Sequence, residues 1–398
     1  MLRIYTICLF SLFAVITDAQ SYFPPNNSSN WDTISPSSLN WCQEKIDSLY
    51  AFLDSNNTKS FILLKNGKIV LEHYFNGHTD TSYWYWASAG KTVVSFLVGI
   101  AQEEGFLDIG DTTSNFLGNG WTSCSLEEEE KITIRNQLSM TTGLDDGVAD
   151  PYCTIDTSLQ YFSEAGSRWA YHNGPYTLLR PVLENAVGQN INLYAFQKML
   201  NPIGMDGFFS YEGYNNIFFS TSRSMARFGL LIQNNGSWDG NDILSDADYF
   251  NQMVNTSQPL NESYGYLWWL NGKSSFMLPQ TQVVFEGSLF PNAPNDVIAA
   301  LGKNGQIINV VPSENLVWIR MGEATNTSLI EASLNIDVWN YINDFECVSS
   351  TLESTEISTK KTLLKVVDIF GKEVKPSHNR PLFYIYDDGS VKKKIVLE

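Results

Sequence analysis

The sequence predicts a mixed α/β (α+β) fold in which both ends of the chain close one sheet around a mainly helical middle. Two β-rich runs meet early, in "FILLKNGKIVLEHYF" (61–75), around Asn66-Gly67, the strongest short hairpin signal. Three more come late, at 296–301, 306–311 and 315–320, separated by the turn sequences "GKNG" and "PSEN". Between these two groups the pattern is helical and loop-like, and no repeat interrupts it.

Taken in order, the chain opens on "MLRIYTICLFSLFAVITDAQ", with an early arginine and an apolar run over 4–16. That run is too short to span a bilayer and has the form of a cleavable export signal over 1–19, ending near Ala19. Residues 20–35 are rich in Pro, Asn and Ser and read as loose. Over 36–53, Leu39, Ile46, Leu49 and Leu53 recur at helical spacing after Ser35-Pro36, a helix start. The hairpin follows, then "WYWASAGKTVVSFLVG" (84–99), whose apolar stretch from Thr92 to Ile100 reads as a core helix. A last helix spans 329–345 and ends the main domain, 36–347. "VSSTLESTEIST" (348–359) is a polar linker, and 360–398 is a short β-rich unit.

With 398 residues, 43% of them apolar, the chain has ample material for a large core. A net charge of −18 opposes binding to nucleic acid or to an anionic membrane surface. Nine Lys/Arg against five Asp/Glu make 360–398 positive, so the remainder is −22. No further apolar run is long enough for a transmembrane anchor. If Cys8 leaves with the signal, Cys42, Cys124, Cys153 and Cys347 remain, an even number suited to two bridges in an oxidising compartment. The histidines show no ligand spacing, so no metal site is expected. The "EEEE" run (127–130) and Asn-x-Ser/Thr sites such as Asn235 read as solvated surface.

Three segments carry candidate chemistry. Ser88 and Lys91 stand three apart at a helix start, so they share one face of a ~3.6-residue turn. A lysine whose pKa is depressed from ~10.4 by burial can serve a serine nucleophile as base. The Gly-x-Ser-x-Gly elbow of histidine-assisted hydrolases is absent, because Trp86 stands two before Ser88. Tyr171 and Asn173 lie two apart in "AGSRWAYHNGPYTLL"; a phenol facing a lysine ammonium would have a lowered pKa and shuttle protons, while an amide binds a carbonyl. His172 between them either tunes Tyr171 or sits on the surface. Lys303-Asn304-Gly305 stands at a strand edge, where Gly305 would admit a substrate close to the backbone. The amides of Ser88 and Gln306 would then form an oxyanion hole. Each segment alone has an ordinary reading: a core helix start, a loop tyrosine over core, a lysine-bearing turn.

Their order, Ser-x-x-Lys, then Tyr-x-Asn, then Lys-x-Gly, resembles the serine hydrolases of the class C β-lactamase group, which includes penicillin-binding carboxypeptidases and esterases. "ITIRNQLSMTTGL" (132–144), "NPIGMDG" (201–207), "STSRSMARFGLLIQNNGSWDG" (220–240), "YGYLWW" (264–269) and "VVPSENLVWIRMG" (310–322) are similar to that family's scaffold segments. The resemblance covers roughly 36–346. It implies a five-stranded antiparallel sheet flanked by the N- and C-terminal helices, with a helical region inserted. It also implies a monomeric, cofactor-free enzyme that forms an acyl-enzyme on Ser88, with Lys91 and Tyr171 moving protons. Asn173, Lys303 and Gly305 would bind an ester or amide substrate, small or peptide-like. Asn304 stands where the family's lactamases usually carry Thr, which points to a carboxylesterase or amidase rather than a β-lactamase or D-amino-acid peptidase. A non-catalytic binding module on the same fold is the remaining alternative.

Side-by-side packing of the first and last helices in that fold implies a Cys42–Cys347 bridge. Cys124 and Cys153 flank one excursion and form the other expected pair. The tail, with Gly371-Lys372-Glu373-Val374, an aromatic strand at 383–386 and a Lys-rich strand at 392–396, resembles the C-terminal sorting region of type IX secretion substrates. That resemblance implies a secreted or cell-surface protein and a secretion machinery as partner.

Overall fold

The structure, a computed structural model, describes residues 21–324, 331–347, 362–368, 371–376, 381–387 and 389–394. The expected export signal and the 348–359 linker lie outside the described residues. The chain divides into two units, Met1–Cys347 and Val348–Glu398.

The first unit is built on one antiparallel sheet. Its strands are β1 (Thr58–Lys65), β2 (Lys68–Tyr74), β6 (Trp269–Leu270), β7 (Ile298–Gly302), β8 (Gln306–Val311) and β9 (Leu316–Gly322). They lie side by side in the order β2-β1-β9-β8-β7-β6, so the early hairpin is zipped to the late strands through β1 and β9. Lys65 pairs with Lys68 across Asn66 and Gly67, both at positive φ as a tight hairpin turn requires. The two-residue β6 is one strand more than the five expected. It adds to β7 through Ile298 and Ala299, and among the described residues the rest of β7 has no strand partner on that side.

Helices cover both faces. The helix α1 (Gln43–Ser55) starts later than the sequence pattern predicts: Pro36–Leu39 forms a 3-10 turn, Asn40 turns left-handed at φ 59°, and Cys42 begins the helix. On one face α4 (Ser222–Gln233) lies close enough that a Cβ on Gly229 would meet Val317 at 2.6 Å and Ile308 at 3.2 Å. On the other, Trp339 of α5 (Ala332–Asn343) packs on Trp318 and donates to Asn309 Oδ1. Strand alternation accounts for both, since Val317 and Trp318 point to opposite sides. A Cα–Cα distance of 5.0 Å allows the Cys42–Cys347 disulfide that fastens α1 to the end of α5.

Four expectations need correction. Residues 21–35 are anchored rather than loose: Tyr22 and Ile34 donate backbone bonds to Asn66 and Ile69, and Arg227 donates to the Pro24 and Pro25 carbonyls. Composition registered the prolines but not the carbonyls they present. Cys124 and Cys153 are free thiols. Cys124 packs beside the small apolar cluster of Trp121, Ile132, Leu144 and Leu159, while the Cys153 sulfur bonds the Ser158 and Tyr214 side chains. Glu129, inside the "EEEE" run, is fully buried and accepts from the Gly120 and Thr122 amides at 2.8 Å each, clasping that loop. Finally, the middle of the chain holds a β-ribbon that the pattern did not announce: β3 (Trp84–Tyr85) pairs with β5 (Asn215–Ser220), and β5 with β4 (Phe208–Glu212).

The second unit carries a three-stranded antiparallel sheet of β10 (Leu363–Val367), β11 (Leu382–Tyr386) and β12 (Val391–Lys394), with β11 in the centre. Val367 bridges to Glu373 around the Gly371 turn. The end of the Lys-rich strand expected to Val396 lies outside the described residues.

Candidate active site

Ser88 stands on a 3-10 turn, Ala87–Gly90, which leads directly into α2 (Lys91–Glu103). From Lys91 to Ala101 every residue of α2 is buried, as expected of a helix apolar on nearly all sides. Ala87 is held at φ 46°, a left-handed conformation rare for alanine, which the ribbon before it and the core helix after it enforce. The Ser88 turn is therefore fixed from both ends.

The Lys91 Nζ lies 2.9 Å from the Ser88 Oγ. Burial lowers the Lys91 pKa from 10.5 to about 7, because the ammonium has lost its water. Tyr171 presents its hydroxyl to Ser88, but its pKa moves opposite to expectation. Burial raises it, and the Ser88 hydrogen bond offsets only part of the rise. Lys91 meets the Tyr171 ring, 5.3 Å from its centroid. Tyr171 is a neutral phenol, and Lys91 is the group poised to gain or lose a proton. Trp269 stacks on Tyr171 at 5.9 Å and Tyr264 meets it edge-on at 6.2 Å, so "YGYLWW" forms the wall that orients it.

These groups open into a pocket of about 190 Å³ that Asn173, Lys303, Tyr152 and Tyr176 also line. Asn173 begins the short helix α3 (Asn173–Thr177), whose Gly174 sits so close to the Cys153 carbonyl that a Cβ would fall 2.5 Å from it. Lys303 is exposed at the rim. Asn304 donates to the Tyr85 hydroxyl at 2.6 Å and holds the turn to the ribbon. Gly305 faces elsewhere. A Cβ on Gly305 would strike Arg320 Nη1 at 2.1 Å, so the glycine makes room for that arginine rather than for a substrate. Gln306 is wholly buried, its amide oxygen accepting from the Gly322 N–H at 3.0 Å and its nitrogen donating to the Gly322 carbonyl at 2.7 Å. The residue pressed against the serine turn is Gly302, where a Cβ would meet the Trp86 carbonyl at 2.3 Å. Its only sequence signal was its place just before Lys303. His172 is buried rather than on the surface, and neither ring nitrogen has a hydrogen-bond partner among the described residues. Tyr152, Tyr176 and the Asn215-Asn216-Ile217 edge of β5 also reach the pocket, and no spacing pattern pointed to them.

A larger cleft of about 570 Å³ lies by Trp31, Tyr83 and Arg223. Arg223 is already committed to Glu72 and the Ser29 carbonyl. The smaller pocket is the one that brings Ser88, Lys91 and Tyr171 together.

The sequence matches the Beta-lactamase family over residues 58–326, two thirds of the chain. The chain belongs to the beta-lactamase family. The match takes in the Ser88 turn, the Tyr171 loop and the Lys303 turn. A relative in Bacillus subtilis (strain 168), "Putative penicillin-binding protein PbpX", is 24% identical over 159 residues, 36% of this chain and 39% of that protein. In three dimensions the family fold is similar to the "Putative 6-aminohexanoate-dimer hydrolase from Bacillus anthracis", with TM-score 0.60, 19% identity, and 81% and 88% of the two chains covered. It is also similar to a family VIII carboxylesterase, with TM-score 0.56, 15% identity, and 75% and 96% covered.

Proposed function

We propose that this beta-lactamase-family chain is a serine hydrolase that cleaves an ester or amide bond through an acyl-enzyme on Ser88. One observation carries the reading: a buried lysine amine with a pKa near neutrality, 2.9 Å from a serine hydroxyl on a strained turn. Ser88 Oγ attacks the carbonyl carbon while its proton passes to Lys91. The negative oxygen that forms is held by the backbone amides of Ser88 and Gln306. As the tetrahedral adduct collapses, the Lys91 proton reaches the leaving oxygen or nitrogen through the Tyr171 hydroxyl, and the acyl group stays on Ser88. Water then adds by the same route, giving its proton to Lys91; the acid leaves and Ser88 regains its proton. Asn173 orients the carbonyl. A pocket below the ~300–1,000 Å³ of typical ligand sites favours short acyl groups. Lys303 at the rim supports a second reading, a carboxylate-bearing substrate such as a β-lactam or a D-amino-acid peptide.

Export belongs to the same proposal. The apolar N-terminal run and the Cys42–Cys347 bridge support it, because such bridges persist in oxidising compartments. The β-rich tail supports passage through a type IX machinery.

A fluorophosphonate should label Ser88 stoichiometrically, and Ser88→Ala should abolish both labelling and turnover of short p-nitrophenyl esters, a cephalosporin or D-alanyl dipeptides, whichever is the substrate. Label on another serine, or activity surviving in the variant, would sink the mechanism.

A further inference from the structure

Lys91 is held by aromatic faces. Its Nζ lies 4.3 Å from the centroid of the Tyr176 ring and 5.3 Å from that of Tyr171, with the third direction taken by Ser88. The titratable and charged groups around it are Tyr171 and Tyr176 on the α3 side, Tyr152 from the loop before it, and Lys303 from the β7 end. Among the described residues, no carboxylate lines this pocket. An ammonium without a carboxylate needs another source of negative potential, and the face of an aromatic ring supplies one.

Tyr176 is 3% exposed, and its hydroxyl has no hydrogen-bond partner among the described residues. The ring, not the hydroxyl, is thus the part of Tyr176 in use. Its seat is firm: the Pro175 carbonyl before it accepts from Gln137 Nε2 at 2.7 Å, and Gly174 is wedged on the Cys153 backbone. We propose that Tyr176 is a positioning residue, its ring face acting as the counter-charge that holds the Lys91 ammonium beside Ser88. The proposal rests on the Ser88 hydrolase reading.

A ring with less electron density on its face stabilises the ammonium less, so Lys91 releases its proton at lower pH. The acid limb of kcat/KM then moves down, by about one pH unit when the whole attraction between a desolvated ammonium and the ring is removed. Fluorine substitution removes that density while barely changing ring shape, which separates electrostatics from packing.

The test places Phe, and then mono-, di- and trifluorophenylalanine, at position 176 of the full chain. Lys91 titration is followed through its 13Cε shift, assigned by the signal's loss in Lys91→Arg, alongside the pH dependence of fluorophosphonate labelling. Tyr176→Phe should leave the titration in place, and each added fluorine should shift it downward in step. A flat series, or a tenfold loss of labelling rate in Tyr176→Phe itself, overturns the proposal. The hydrolase reading fails separately, by Ser88 remaining unlabelled at every pH. A flat series with Ser88 labelled therefore removes only the role of Tyr176.

Discussion

Tyr171 shows how burial can outweigh a neighbouring charge. The lysine beside it meets its ring, and desolvation keeps the phenol neutral, so in the proposed mechanism its part is to pass a proton on. Tyr171→Phe should lower kcat by about 10²-fold or more, the scale of general acid–base catalysis, with KM little changed. A loss confined to KM would make Tyr171 a binding group. Its neighbour His172 has a different consequence. Burial lowers its pKa from 6.5 to about 4, with Asp145 and Asp146 opposing the shift and Arg168 adding to it. Between those values the unfolded chain binds the proton that the folded one refuses. Stability is therefore complete above pH 6.5 and falls as pH drops toward 4, by about 3 kcal/mol in all. His172→Phe should flatten the pH dependence of the denaturant midpoint over that window; an unchanged slope would assign the acid sensitivity to other groups.

At the scale of elements, the site depends on how closely β7 approaches the serine turn. Gly302 is the contact: a Cβ there would lie 2.3 Å from the Trp86 carbonyl and 3.0 Å from the Ala89 nitrogen, both backbone atoms that cannot swing aside. Gly302→Ala should push the strand end away by roughly an ångström, a displacement that costs about 10²-fold in catalysis when it misplaces reacting groups. We expect kcat/KM to fall by that order and the melting temperature to drop by a few degrees, since the clash is with backbone. Full activity in the variant would mean that this strand end does not help to form the site. The short β6 serves the same arrangement from the other side. By pairing only with Ile298 and Ala299 it leaves the pocket end of β7 open, and its Trp269 stacks on Tyr171.

On the scale of the whole molecule, the sheet is closed by residues from opposite ends of the first unit. The Cys42–Cys347 bridge joins them across a sequence separation of 305. Loop-closure entropy for so long a loop sets an upper estimate of about 5–6 kcal/mol, and native bridges of this kind are typically worth about 2–5 kcal/mol. Cys42→Ser should lower the denaturant midpoint accordingly, with fluorophosphonate labelling of the folded protein unchanged, because the bridge lies at the α1–α5 junction and not among the pocket residues. An unaltered midpoint would show that the unfolded chain is already compact enough for the bridge to constrain nothing.

Local pattern sufficed for what repeats locally. Asn66-Gly67 specified its hairpin, the late apolar runs specified three adjacent strands, and Ser88 with Lys91 announced a shared helical face, since i and i+3 meet whatever the rest of the chain does. The resemblance to a known family tied Tyr171 to Ser88 and supplied the Cys42–Cys347 pair, links that no spacing could make. Tertiary structure alone decided the remainder. Glu129 became a buried clasp, Cys124 and Cys153 found different neighbours, Gly305 turned toward Arg320, and Tyr176 came to rest over Lys91. Each of these depends on which segments, distant in sequence, pack together and which way their side chains then point. Burial, hydrogen-bond partners and pKa follow from that packing, and one-dimensional pattern does not contain it.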